Sequence, residues 1–260
     1  MPRTIIETRE VCRDIPIKEG LLFPRQVGVL HAVNEVSIAV HEGETLALVG
    51  QSGAGKTTLG MMMLGLIEPT SGEVVFEGQD VFAADTKFRR QFSMETQLIF
   101  QDPLASLNPQ IRVGKSIELP LVNLGWDKER RRERVLELLD MVGLNPSHHN
   151  RYPHQFSGGQ AQRLAIARAL AGHPKFIVLD EPVSALDVTI QAQIINLLKD
   201  LQARLNLTYL FIAHNLDVVY FLSDRVAVMH GGKLVEFGGC DEVILNPKHE
   251  HTKELVASSV

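Results

Sequence analysis

Thr45-Leu46-Ala47-Leu48-Val49-Gly50-Gln51-Ser52-Gly53-Ala54-Gly55-Lys56-Thr57-Thr58 is the stretch on which the reading of this chain turns. The apolar run from Thr45 to Val49, bounded by Gly43 and Gly50, predicts a short buried strand. Residues 55–66 predict a helix, closed near Pro69. Between strand and helix, Gly50 to Thr57 fits the phosphate-loop pattern: Gly, four residues of any kind, then Gly-Lys followed by Ser or Thr. Each residue type has a task there. The glycines let the backbone curl so that successive N–H groups face phosphate oxygens, and the helix N-terminus adds a dipole that favours negative charge. Lys56 brings a mobile positive charge to the outer phosphates, and the Thr57 hydroxyl is a ligand for Mg²⁺. At average residue usage the pattern arises by chance in about 1% of chains of this size, and its strand-before-helix setting lowers that further.

Working outward, Phe176-Ile177-Val178-Leu179 is a second apolar strand, and it ends in Asp180-Glu181. Ligands of α/β sheets gather at the carboxyl ends of strands. An acid at that position can hold the Mg²⁺ shell, a role for Asp180, and the next acid, Glu181, can orient and deprotonate an attacking water. Further short strands are predicted at Val74–Phe76, Gln97–Phe100 and Tyr209–Ile212, with a helix from Val188 to Leu205 and a hairpin around Gly231-Gly232. Strands alternating with helices argue for an α/β fold with a mostly parallel sheet. From Asp102 to about Ala171 the chain reads as loop and helix, an inserted helical subdomain. Within it Val135, Leu138, Leu139 and Val142 recur at helical spacing over residues 128–142, and Arg130 to Arg132 lie on the solvated face.

The bulk properties narrow the function. Of 260 residues, 45% are hydrophobic and 22% charged, enough for an ordinary core. A formal net charge of -5 weighs against a nucleic-acid partner, which would favour a basic excess. The two cysteines, Cys12 and Cys240, cannot build a disulfide framework and read as reduced thiols. The most apolar stretch, Met61 to Ile67, is far short of the ~20 residues a membrane span needs. Met1-Pro2-Arg3-Thr4 lacks the apolar centre of a signal peptide, so any membrane role is expected to run through partners.

Phe156-Ser157-Gly158-Gly159-Gln160 opens a helix that runs through Arg163 and Arg168. Here the chain resembles the ABC ATPase family, whose signature is Leu-Ser-Gly-Gly-Gln. Other family elements follow in the family's order: Gln101 resembles the Q-loop glutamine, Ser184-Ala185-Leu186-Asp187 the D-loop, and His214 the switch histidine. The resemblance spans nearly the whole chain. It implies a P-loop NTPase (RecA-like) core with a mostly parallel sheet, an N-terminal antiparallel β portion and an inserted α-helical subdomain. Residues 1–101 and 172–260 would form the ATP-binding core and 102–171 the helical signature subdomain. ATP would be bound by Gly50, Gln51, Ser52, Gly53, Ala54, Gly55, Lys56, Thr57 and Thr58, together with Gln101 and Asp180. Thr57, Gln101 and Asp180 would organise Mg²⁺, with Lys56, Glu181 and His214 as the catalytic set. Ser157, Gly158, Gly159 and Gln160 would serve the ATP of a second cassette arranged head to tail.

The finer resemblance is to the ATPases of peptide and nickel importers. It rests on Phe100 to Pro109, Arg151 to Phe156 and Val183 to Gln193. It implies two transmembrane permease subunits docking near the region after Gln101, an extracytoplasmic solute-binding protein, a paralogous second ATPase, and a place on the cytoplasmic face of the membrane. Cargo could be di- or oligopeptides, or nickel or another small solute. A soluble, non-transport ABC ATPase would call for a second cassette or a long coiled coil between Lys56 and Ser157, and neither is present. The chain departs from the branch at several points. Phe156 replaces Leu, Ala161 stands where Arg is common, and Glu250 and His251 replace Pro and Tyr in the C-terminal motif. An iron–sulfur cluster is not expected with only Cys12 and Cys240. His148, His149, His249 and His251 read as surface histidines rather than a metal site. The aromatic residue that stacks on adenine in this family falls near Val27, with Phe23 and His31 as neighbouring candidates. Glu181→Gln is expected to bind ATP yet lose hydrolysis by about 10²- to 10⁴-fold, the usual contribution of a general base. Steady-state phosphate release alongside nucleotide binding measures both.

Overall fold

The computed structural model describes residues 3–19 and 25–258. In chain order the elements are β1 (Thr4–Glu19), β2 (Arg25–His41), β3 (Thr45–Val49), α1 (Lys56–Met63), β4 (Ser71–Phe76), β5 (Gln79–Asp80), α2 (Thr86–Glu95), β6 (Thr96–Ile99), α3 (Val113–Asn123), α4 (Lys128–Met141), α5 (Gly158–Ala169), β7 (Phe176–Asp180), α6 (Val188–Leu205), β8 (Thr208–Ile212), α7 (Leu216–Leu222), β9 (Arg225–His230), β10 (Lys233–Gly239), α8 (Cys240–Leu245) and α9 (Glu250–Ala257). By internal contacts the chain divides into two compact units, one of Met1–Phe92 with Leu210–Val260 and one of Ser93–Tyr209.

The first unit contains an antiparallel sheet in the order β2-β1-β4-β5 and a run of neighbouring strands β10-β9-β3-β8. β3 runs parallel to β9, with Leu46 beside Arg225 and Val49 beside Val228. Its five residues are all buried, which is why an unbroken apolar run forms a strand rather than an amphipathic pattern. The predicted hairpin is the β9–β10 pair, and Gly231 and Gly232 turn it with φ of 55° and 79°. Two successive positive φ values make the turn whose twist matches flanking strands, and glycine adopts them without strain. The antiparallel β portion is a long β1–β2 ribbon broken by register shifts. Glu10 and Glu35 take positive φ beside them. Phe76 and Phe92 meet edge to face at 5.1 Å inside this unit.

The second unit pairs β6 with β7 in parallel, Gln97 beside Ile177 and Ile99 beside Leu179. Two of its helices, α4 and α6, begin on aspartate caps. Asp127 accepts from Arg130 N at 3.0 Å to start α4, and Asp187 accepts from Ile190 N at 3.0 Å to start α6. Val135, Leu138, Leu139 and Val142 are buried, the face that their spacing predicts. The basic run on α4 is only partly free. Arg130 lies 3.7 Å from the Trp126 ring centroid, and Arg131 pairs with Glu118 at 2.8 Å. α3 carries Pro120 within it, which hid it from the sequence reading.

β7 presents Asp180, so its core contacts hold the site. Ile177 is 1% exposed. Replacing it with Val is expected to cost about 0.5–1.5 kcal/mol and with Ala about 2–5 kcal/mol. Urea unfolding midpoints of the two variants test this graded loss.

Candidate functional site

In the first unit, β3 delivers the chain into a loop whose backbone is pressed from two sides. A Cβ on Gly50 would stand 2.2 Å from the Met229 carbonyl oxygen, and one on Gly55 would stand 2.1 Å from that of Ala32. Both glycines also have positive φ, 149° and 98°, as does Gly53 at 78°. No side chain larger than hydrogen fits at Gly50 or Gly55 without moving backbone. Gly55 is the N-cap residue of α1, so the helix predicted over 55–66 begins one residue later and ends at Met63. No side chain caps it and no acid lies in its first turn. The positive end of α1 is thereby left to an incoming anion. Lys56 is 7% exposed, and its Nζ donates to the Gly50 carbonyl at 2.7 Å and the Gln51 carbonyl at 3.0 Å. A cation stored on the loop's own carbonyls, beside an uncapped helix end, suits a polyphosphate. Ala213 N donates to Leu48 O at 3.4 Å, which brings His214, exposed at the end of β8, to the same end of the strands as Gly50.

In the second unit the parallel register of β6 and β7 sends Gln101 and Glu181 out at one end of the pair. Asp180 is half-buried as the last residue of β7, and Glu181 has φ of 48°, a left-handed conformation uncommon outside glycine. Its carbonyl is held by Ser184 N at 3.3 Å and Ser184 Oγ at 3.1 Å. Backbone strain of this kind persists where surrounding bonds enforce it, and it clusters at functional positions. Ser157 caps α5. Its Oγ accepts from Gln160 N at 3.4 Å while Gln160 Oε1 accepts from Ser157 N at 3.1 Å, a reciprocal capping box. Arg168, on the same helix, donates to Ser106 O at 2.5 Å, and burial pulls its pKa down. It ties the signature helix to the segment that follows Gln101.

The first unit thus assembles Gly50 to Thr58 with His214, and the second assembles Gln101, Asp180 and Glu181 with Ser157 to Gln160 and Ser184 to Asp187. Each unit offers hard oxygen donors of the type that Mg²⁺ prefers, Thr57 in the first and Gln101 and Asp180 in the second. Two contributors escaped the sequence reading, the backbone carbonyls of Ala32 and Met229. No side-chain signal announces a carbonyl. Of the adenine candidates, Val27 is 56% exposed, and the His31 Nδ1 lies 2.7 Å from Asp14 Oδ1. Phe23 lies outside the described residues.

Comparison with known proteins identifies the family. The family model for ABC transporters matches residues 33–184. The oligopeptide transport ATP-binding protein AppF of Bacillus subtilis (strain 168) is 49% identical over 98% of this chain and 78% of its own length. The chain belongs to the ABC transporter family. A second ABC relative, the dipeptide transport ATP-binding protein DppF of Escherichia coli (strain K12), is 42% identical over 100% of this chain and 77% of its own. Among solved structures, the ATP-binding cassette MJ0796 in a dimeric post-hydrolysis state with ADP and Pi matches with a TM-score of 0.78 and 29% identity. That match covers 91% of this chain and 99% of the other. The α/β architecture of this ABC chain is therefore that of an ATP-binding cassette. Among the described residues no helix is long and apolar enough to cross a membrane, and no three or more His, Cys, Asp or Glu residues cluster as a metal-binding group.

Gly55→Ala is expected to weaken ATP binding by at least about tenfold, because its methyl must displace the Ala32 carbonyl as well as adopt positive φ. Gly78 also has positive φ but faces open space. Gly78→Ala should cost about 1–2 kcal/mol of stability with unchanged affinity. Titration with a fluorescent ATP analogue separates the two.

Proposed function

We propose that this chain is the ATP-hydrolysing subunit of an ABC importer whose cargo is di- or oligopeptides. The observation that carries this reading is near full-length similarity to oligopeptide and dipeptide transport ATP-binding proteins of two distant bacteria. Gly50 to Thr58 hold the phosphates of ATP, with Lys56 moving from the loop carbonyls to the outer phosphate oxygens. Thr57, Gln101 and Asp180 would hold Mg²⁺, which would offset the charge on those oxygens. Glu181 orients a water and takes its proton as the water oxygen bonds to the terminal phosphorus and the bond to the bridging oxygen breaks. His214 donates to the terminal phosphate. Ser157 to Gln160 serve the nucleotide of a second cassette, and Ser184 to Asp187 form the turn that holds Glu181.

Residues 1–101 and 172–260 act as the ATP-binding core and 102–171 as the helical subdomain. Phe100, Leu104 and Ile111 are 42%, 41% and 39% exposed, apolar surface that suits a docking helix of a membrane subunit. The working assembly has two permease subunits, a paralogous second ATPase in head-to-tail contact, and an extracytoplasmic solute-binding protein. The chain sits peripherally on the cytoplasmic face of the membrane.

Affinity isolation of Glu181→Gln from native membranes with ATP and Mg²⁺ tests the reading. Co-purification of two membrane proteins and a sibling ATPase is expected, and peptides should stimulate phosphate release by the parent complex. Stimulation by nickel but not by peptides would reassign the cargo. Recovery of ribosomal or DNA-bound proteins without a membrane subunit would overturn the importer reading.

A further inference from the structure

The signature glycines do not face solvent alone. A Cβ on Gly159 would stand 2.5 Å from Ile190 Cγ2, and one on Gly158 would stand 3.3 Å from Leu186 Cδ2. The N-terminal turn of α5 therefore rests directly on the side chains of the turn that leads from Glu181 and of the first turn of α6. That turn is bonded throughout. Ser184 N and Oγ hold the Glu181 carbonyl, and Leu186 N donates to Val183 O at 3.1 Å. Gln191 Nε2 donates to Leu186 O at 2.9 Å, and Asp187 Oδ1 accepts from Ile190 N at 3.0 Å. On the other side of the contact, the Ser157–Gln160 capping box fixes the signature turn.

We propose that Ile190 is a positioning residue that makes the signature and the catalytic glutamate of one chain a single mechanical element. This rests on the functional reading above, in which the signature engages the ATP of the partner cassette while Glu181 acts on the chain's own ATP. Closely packed groups shift together rather than deform separately. A displacement of Gly159 as a phosphate docks at Ser157 must move Ile190, whose β-branched side chain has little rotamer freedom in a helix. Ile190 N is bonded to Asp187, and the turn behind it ends on the strained backbone of Glu181. The contact thereby makes hydrolysis at one nucleotide depend on engagement of the other. Ile190 is only half-buried, so truncating it leaves the interior of the unit intact.

The test uses the assembled transporter in lipid. Ile190→Ala is expected to lower kcat by roughly tenfold, within the range that coupling contacts carry. ATP affinity and thermal midpoint should stay near those of the parent, and Ile190→Val should restore kcat. Gly159→Ala should fall below Ile190→Ala, because its methyl meets the stiff Cγ2. The double variant Gly159→Ala/Ile190→Ala should recover to the level of Ile190→Ala alone, since the truncated side chain leaves room for the methyl. Parent-like kcat in Ile190→Ala with an inactive Gly159→Ala would overturn the coupling while leaving the functional reading intact. Absence of recovery in the double variant would also overturn it, because the contact would not be what the methyl breaks. Parent-like hydrolysis by Gly159→Ala would instead remove the signature's role, and this inference with it.

Discussion

Two close approaches of backbone to backbone govern the nucleotide end of this molecule. The Met229 carbonyl lies against the α-carbon of Gly50 and the Ala32 carbonyl against that of Gly55, with no room for a side chain at either place. β9 and β2 thereby clamp the phosphate loop at its entry and its exit. The Gly231-Gly232 turn continues the clamp. Gly232 N donates to Ala54 O at 3.2 Å, and Asn34 N donates to Gly232 O at 2.8 Å. A loop fixed in this way keeps its amide groups aimed before any ligand arrives, so binding does not have to supply the ordering. The fully buried β3 anchors it, and the β1–β2 ribbon brings Ala32 into place.

The second unit solves a different problem. Glu181 carries a full side chain, yet its backbone takes a conformation that glycine tolerates best. The surrounding turn holds it there through the paired Ser184 bonds to its carbonyl, followed by the Asp187 cap that starts α6. The bonds that hold the Glu181 carbonyl and the cap that starts α6 thus lie within one short turn, residues 181–190. The Ser157 cap of α5 has a similar double character, because the hydroxyl that would meet a phosphate now satisfies a backbone amide of its own helix.

How much of this was legible in the sequence follows from where the information resides. Gly50 to Thr57, Asp180-Glu181 and Ser157 to Gln160 stand out in the sequence as candidates because side chains, or their absence, fall there at a fixed spacing. β3 and β7 could be read because burial on both faces leaves an unbroken apolar run. The β1–β2 ribbon was expected only through the family resemblance, not from the pattern of its residues. Its buried residues Ile5, Ile6 and Val11 do not alternate, since register shifts change which face each residue meets. α3 was hidden by Pro120, and α7, α8 and α9 are too short for a helical period to stand out. The clamp on the phosphate loop was invisible for a more basic reason, as the atoms of Ala32 and Met229 that matter are common to every residue.

The glycines of the signature join these themes. Glycine at 158 and 159 reads from the sequence as a phosphate-binding feature, since small residues at a helix N-terminus leave amides open. The structure adds a second reason, because Leu186 and Ile190 occupy the space that larger side chains would need. The packing alone restricts these two positions to the smallest residue, whatever a ligand on the other side would add. A position constrained from both sides cannot move toward a phosphate without disturbing its neighbour, and that neighbour belongs to the segment that sets Glu181. On the proposed roles of the two motifs, the steric limit that makes the glycines necessary is also the contact through which recognition would reach catalysis.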